Sequence, residues 1–517
     1  MSAAPKRYRA LTFAALATAT ALVLAGCTSA ASTPSDSSSG SSSGGVYNLG
    51  LAAPAGDIDP LTTADYNAMF IVGLASAGLI IESPTGKLTP QLATSWAPTS
   101  DGLEWNVKLR SGAEFSNGRA VTPADVVASF NAIIAPKSQS PAASSFTGIL
   151  KSVKAGSGDS VVFTLDQKYE DFPYLLTGAN TDILPAGKST GWINNPVGAG
   201  QFLLKKYTPG QGVTYVKNPH YWDASAIKLQ GIDVKFYSDT QSQLLAFQSG
   251  EVDQITQSPA VTSALTKGTY TAFTQGYEKF DGLTFNTTKA PFNDVSVRQA
   301  VAWALDRKAI VKTAYGSDAT VANDFATFPD YGVQPAGLPQ REQDKAKVKK
   351  LLGGKTISFT ITTYTAEQPL AELIQQQLNA VGGFSVKLDI QTEAQYYGGS
   401  NSTTPWLNAP VSITDWADRL PSQLIGLAYA SGGAWNASHY SNPTLDSLAK
   451  QYEATTDKAT RQTIANEIGK IQYTDVPIVV AAFLKNGIYL SKNVNGTFQN
   501  GQNFNGGFDF RGITVSK

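Results

Sequence analysis

The segment that opens Ile357-Ser358-Phe359-Thr360-Ile361 and runs on to Ile390 decides the architecture. Ile357, Phe359 and Ile361 alternate with polar residues, the period of a half-buried strand. Leu370, Leu373, Ile374, Leu378 and Val381 then recur on one face of a helix, which Gly382-Gly383 closes. Phe384, Val386, Leu388 and Ile390 alternate again. Strand, helix and strand at this spacing predict a parallel pair joined by a right-handed crossover. Sheets of this α/β class open a crevice at the carboxyl ends of their strands.

Upstream, the chain starts with Lys6, Arg7 and Arg9, followed by an apolar segment from Ala10 to Leu24. This is the order of a secretory signal peptide, residues 1–26, and the apolar run is shorter than the roughly 20 residues of a spanning helix. Leu24-Ala25-Gly26-Cys27 ends it with the only cysteine of the chain. The four residues resemble the lipobox of bacterial lipoproteins, which implies a covalent lipid on Cys27 and an extracytoplasmic protein anchored to the cell membrane. Two or more acyl chains anchor stably where one does not. Residues 27–45 continue as a Ser/Gly tether with nothing to build a core.

The 517 residues are 42% hydrophobic and 15% charged, the balance of a globular chain of more than one domain. Beyond residue 26 there are 37 basic and 40 acidic side chains, a net of −3, which gives no case for nucleic acid binding. One cysteine excludes an intrachain disulfide, and two distant histidines, His220 and His439, make no metal site. No metal is expected, and no cofactor beyond the lipid.

From Leu88 to Phe130 the chain gives a strand (Trp105, Val107 and Leu109 alternate), a Gly-rich turn and a helix. Thr122 is its N-cap, Pro123 its first residue, and Asp125 stands three on from the cap. Later blocks read Asn195-Pro196-Val197-Gly198-Ala199-Gly200, Asn218-Pro219-His220-Tyr221-Trp222, Phe247-Gln248-Ser249-Gly250 and Val297-Arg298-Gln299-Ala300, with Ala304-Leu305-Asp306-Arg307 after them. In this order they closely resemble the extracytoplasmic solute-binding proteins, family 5, that serve peptide and nickel ABC importers. Most are scaffold: Val297, Ala300, Val301 and Ala304 form a core stripe, Arg298 and Asp306 suit a salt bridge, and Trp96 and Trp222 suit packing.

The resemblance implies an α/β fold of two lobes, the type II, cluster C periplasmic-binding-protein kind, with a ligand cleft between lobes joined by hinges. Lobe I takes residues 46–275, with a subdomain inserted at about 82–188, and recovers 487–517. Lobe II takes 276–486, with hinges near Gly276 and Asn486. The implied function is capture of di- or oligopeptides outside the cell by hinge closure and delivery to a membrane permease. The implied partners are the ABC permease and ATPase subunits, and the protein is expected to be a monomer. Oligosaccharide or nickel-chelate binding, or a receptor or chaperone role, are alternatives on the same fold.

In Asp415-Trp416-Ala417-Asp418-Arg419 the resemblance points to the ligand ammonium site. Family members that bind peptides show Gly-Trp-x-x-Asp there, which makes Asp418 the matching acid and Trp416 a pocket wall. This chain is one residue shorter between Trp and Asp and has Asp415 for the Gly, so Asp415 is a rival and Ala417 lies between them. A carboxylate in a closed cleft needs a cationic partner, which a ligand ammonium supplies. The bland alternative is a surface pair of either acid with Arg419. Thr62 to Tyr66, with Thr63 and Asp65, corresponds to a segment that pairs with ligand backbone, and Trp406, Tyr429 and Trp435 are candidate cleft aromatics.

Enzymatic readings fare worse. Ser447-Leu448-Ala449-Lys450 matches Ser-x-x-Lys without its companion motifs, and Leu445 and Leu448 make it a core stripe. The lipid expectation is open to a direct check. Cys27→Ser should leave the precursor uncleaved or free the protein from membranes on fractionation; a cleaved, membrane-retained variant contradicts it.

Overall fold

The predicted strand, helix and strand form. Ile357–Tyr364 and Phe384–Gln391 pair in parallel from Ile357↔Phe384 to Tyr364↔Gln391, and the intervening helix Gln368–Val381 buries Leu370, Ala371, Ile374 and Leu378. The computed structural model describes residues 44–516 apart from 55, 64, 84–85, 188–190, 258–261, 263–264, 275, 317–318, 326, 332, 399–401, 486 and 499–508. The expectations for the signal peptide, Cys27 and the tether to residue 43 therefore lie outside the described residues, as does Asn486.

Two large sheets organise the described residues. The first orders Tyr270–Thr274, Gly487–Ser491, Gln254–Gln257, Val46–Ala52, Gly231–Tyr237, Gly212–Lys217 and Phe202–Thr208. The second orders Ala319–Val321, Ala482–Leu484, Lys279–Phe285, Val411–Ala417, Ile357–Tyr364 and Phe384–Gln391. The chain passes from the first sheet to the second between Thr274 and Lys279, and returns between Leu484 and Gly487. Glu278 ties these crossings together: its N–H donates to the Leu484 carbonyl at 2.8 Å, and its own carbonyl accepts the Asp418 N–H at 2.7 Å.

Each sheet has its own core. Tyr47, Leu49, Phe202, Ile232 and Ile488 are buried in the first lobe; Phe285, Val301, Ile361, Leu378 and Ile413 are buried in the second. A four-stranded antiparallel sheet drawn from residues 93–165 has a third core around Trp105, Phe130 and Phe163. Its helix Pro123–Ile133 begins as the sequence predicts, with Asp125 accepting the Thr122 N–H at 2.9 Å. At Gly200 a side chain would stand 2.5 Å from the Ala75 backbone, and the buried Asn218 amide donates to the Gly200 carbonyl at 2.8 Å. These motif residues are scaffold.

The expected Arg298–Asp306 bridge does not form. Helix Val295–Ala304 ends before Asp306, whose carboxylate turns instead to cap helix Arg307–Ile310, accepting from Ala309 N at 3.0 Å. Arg298 donates to the carbonyls of Asp475 and Phe292 at 2.8 and 2.6 Å, the first being an orphan acceptor at a helix end.

A charged triad lies inside the second lobe. Both Asp324 oxygens accept from Arg307, at 2.6 and 2.7 Å, and Arg341 Nε stands 2.8 Å from Asp324 Oδ2, all three side chains being essentially inaccessible. Removing one partner strands buried charge, so Asp324→Asn should cost about 3–5 kcal/mol in chemical denaturation. Asn tolerates the left-handed backbone at Asp324 (φ 65°), so strain would not account for the loss.

Candidate functional site

The carboxyl ends of parallel strands from both sheets converge on one cavity. Val46–Ala52 runs parallel to Gly231–Tyr237 and Gln254–Gln257; Val411–Ala417 runs parallel to Ile357–Tyr364. Leu51, Ala52, Tyr237 and Gln257 line the cavity from the first lobe, and Lys279, Asp415 and Ala417 line it from the second. Its volume is about 470 Å³, within the usual range for a small-ligand site. Tyr66 and Asp239, at the starts of helices Tyr66–Ala75 and Thr240–Gln248, complete the first lobe's wall.

Asp415 faces this space from a prepared setting. Its Oδ1 accepts from the hydroxyl of Tyr364 at 3.0 Å and from that of Tyr397. Lys279, next to it, bridges Asp281 at 3.0 Å and Glu367 at 2.9 Å, and Tyr315 donates to Asp281 at 2.7 Å. Burial works against charge on Lys279, but the attraction of Asp281, Glu367 and Asp415 outweighs it and holds its pKa well above the ordinary lysine value. Burial, with repulsion from Asp281, pushes Glu367 up to about 7 against the pull of Lys279. Three acids share one lysine, so the site attracts cations.

Asp418, just past the end of the strand, is placed differently. Its Oδ2 accepts from the Tyr331 hydroxyl at 3.0 Å, while its Oδ1 is closed to solvent and has no hydrogen-bond partner. Burial lifts its pKa to about 7. Glu82, 3% exposed, is pushed up to about 8 by burial and then by the nearby charges of Asp418 and Asp171. Neither Asp415 nor Asp418 forms an ion pair with Arg419, which donates from Nη1 to the Ala417 carbonyl at 3.0 Å and lies 4.8 Å from the Trp435 ring centre.

The structure thus brings Asp415 and Ala417 to the cavity together. Trp416 points to the opposite face of the strand, is 2% exposed and stacks on Phe280 in the core, where Trp435 packs against it. Thr63 is buried: its carbonyl accepts from Asn180 at 3.0 Å, and its hydroxyl is closed to solvent. Asp65 caps helix Tyr66–Ala75 through Ala68 N at 2.8 Å and faces Glu393 of the second lobe. Tyr429 is fully buried, and Trp406 bridges Tyr397 and Trp435. Sequence reading missed Lys279, Tyr364 and Tyr397, although Tyr396-Tyr397 before Gly398 was a visible aromatic pair at a strand-proximal turn. It also missed a second meeting of the lobes. There Arg461 meets Asp171 at 2.9 Å, Ser422 donates to Asp171 at 2.8 Å, and Glu170 N donates to the Glu453 carbonyl at 2.9 Å.

Comparison with known proteins supplies the family. Residues 87–438 match the bacterial extracellular solute-binding proteins, family 5. The chain belongs to this family. Its members are substrate-binding transport proteins rather than enzymes. The probable D,D-dipeptide-binding periplasmic protein DdpA of Escherichia coli is 25% identical to this family 5 protein, over 87% of this chain and 90% of the relative. The glutathione-binding protein GsiB of Pectobacterium atrosepticum is 28% identical over 82% and 86%. Among solved structures, AgaA of A. tumefaciens with agropinic acid aligns at TM-score 0.79 and 24% identity, over 92% of this chain and 99% of that one. The murein tripeptide binding protein MppA of E. coli aligns at 0.78 and 22% identity, over 92% and 98%. The two-lobed fold is therefore that of the family's binding proteins.

The buried acids of this solute-binding protein make its stability depend on pH. A carboxyl whose pKa rises on folding contributes stability that is full below its unfolded pKa and lost as pH rises through the folded one. For Glu82 that window runs from 4.5 to about 8. Thermal melting should shift downward across it, and Glu82→Gln should flatten the slope by a few kcal/mol, each pKa unit being worth about 1.4 kcal/mol.

Proposed function

We propose that this solute-binding protein captures short peptides outside the cell for an ABC importer, held to the membrane by a lipid on Cys27. The observation that carries the peptide reading is Asp415 at the cavity. Two tyrosine hydroxyls occupy one carboxylate oxygen, and the other is left for a cation from the ligand. A peptide's α-ammonium group supplies one, and DdpA, GsiB and MppA bear names that describe peptide ligands. Asp415 lines the cavity, whereas Asp418 has one oxygen bonded to Tyr331 and the other closed off, so Asp415 is our choice between the two acids.

In this reading the two chain crossings are the hinges. Ligand in the cavity contacts both sheets at once, so it favours the arrangement in which the lobes meet. Closure excludes water around Asp415 and strengthens its pairing with the ammonium. The closed form then docks on the permease.

Native mass spectrometry of the purified protein tests this. Co-purifying masses that fragment as short peptides are the expected result; hexose fragments or a nickel isotope pattern would replace the ligand class and keep the fold reading. Asp415→Asn should weaken peptide binding by at least about 2 kcal/mol in calorimetry. A larger loss for Asp418→Asn would move the ammonium site to that residue.

A further inference from the structure

The second meeting of the lobes is short of cations. Glu82, at the end of strand Ile80–Glu82, and Asp171 precede the first crossing; Asp418, Glu453 and Arg461 lie between the two crossings. Hydrogen bonds stitch the two sides together. Glu170 N donates to the Glu453 carbonyl at 2.9 Å, Gln167 Nε2 to Glu453 Oε2 at 3.2 Å, and Ser422 Oγ to Asp171 at 2.8 Å. A side-chain carbon at Gly86 would stand 3.8 Å from the Tyr331 ring and 3.9 Å from Glu82 Oε1, so ring and carboxyl flank one point of the seam. Among the described residues Arg461 is the one cation paired across this seam, 2.9 Å from Asp171, and Glu82, Asp418 and Glu453 form no ion pair. Asp418, Asp171 and the hydroxyls of Tyr174 and Tyr331 surround Glu82. Asp171, Lys450 and Tyr169 face Glu453. Tyr331, Asp330, Arg419, Glu278 and Glu82 face Asp418. Burial raises all three carboxyls, to about 8 at Glu82 and about 7 at Asp418 and Glu453. Repulsion adds to it, from Asp418 and Asp171 at Glu82 and from Asp171 at Glu453.

We infer that this seam is a proton-operated latch: closing the lobes takes up protons on Glu82, Glu453 and Asp418, and the closed form yields to the open one as pH rises. This rests on the hinge reading above and adds what sets the hinge's resting position. Parting the lobes removes the opposing acids and admits water, which returns each carboxyl toward its ordinary range. The sign follows from linkage. A carboxyl with the higher pKa in the closed form binds more protons there, so its support for closure is full below the open-form value and is lost as pH rises through the closed-form one. Glu82, Asp171, Glu453 and Arg461 stand outside the lining of the ligand cavity, so their protons and the ligand act on each other through closure. A ligand that bridges both sheets favours the same closed form, and is therefore held more tightly in mild acid.

Hydrogen exchange on the unliganded protein, read residue by residue, tests the latch. The Glu170 amide bonds across the lobes, whereas the Leu165 amide bonds to the Leu103 carbonyl at 2.8 Å within the inserted subdomain. Corrected for the intrinsic pH dependence of exchange, protection of Glu170 relative to Leu165 should fall about tenfold or more from pH 6 to pH 8. Glu82→Gln and Glu453→Gln place neutral amides where the closed form holds protons, so each should keep the ratio high at pH 8 and flatten its fall. A ratio that does not change with pH, or that falls as steeply in both variants as in wild type, overturns the latch and leaves the hinge and peptide readings standing. Equal protection of the two amides at every pH means that the lobes do not part, and overturns the hinge reading as well. If one variant fails to fold, the other and the wild-type ratio decide.

Discussion

A single ammonium group holds the second lobe's half of the cleft in shape. Lys279 is the first residue of the strand that enters this lobe, and it gathers Asp281 and Glu367 while pulling on Asp415. Without it three acids would face one another in an enclosed space, and burial would force protons onto them. With it, Tyr315, Tyr364 and Tyr397 can spend their hydroxyls on carboxylates, and those bonds fix the rings against Asp281 and Asp415. The site is thus a charge problem solved within the lobe itself, with Asp415 left on the side that lines the cavity.

Much of the architecture was legible because it is written in local periods. The alternation in Ile357–Tyr364, the stripe of Gln368–Val381 and the cap at Thr122 each need only a few consecutive residues, and each formed. The site was legible as an address and not as a geometry. Asp415 and Asp418 lie within four residues, but nothing local says which one faces the cavity. Val411–Ala417 is covered on both faces, so hydrophobic alternation fades and the strand's two sides look alike in sequence. Register supplied the answer: Asp415 opposes Asp281 and Ala417 opposes Lys279, which puts them together and sends Trp416 into the core.

Lys279, Glu367 and Tyr397 meet from three separate segments, so no spacing rule could join them. The Arg298–Asp306 pair was misjudged for a related reason. Both residues look like helix neighbours until the helix ends at Ala304, after which Asp306 belongs to the next element. Opposite charges near each other in sequence say little about contact once a helix boundary falls between them. Trp416 and Thr63 carry the same lesson in another form, since residues beside a site in sequence were enlisted to support it from behind.

Glu278 has a mechanical meaning. Its peptide groups clasp the returning strand at Leu484 on one side and the Asp418 N–H on the other. The residue lies on the crossing between the lobes, so one short stretch of backbone is at once axle and bracket. Any rotation of the lobes is geared directly to the end of the Val411–Ala417 strand, with no flexible side chain between. If the crossings are the hinges, as proposed above, opening the molecule and loosening its grip on a ligand are one movement of one linkage.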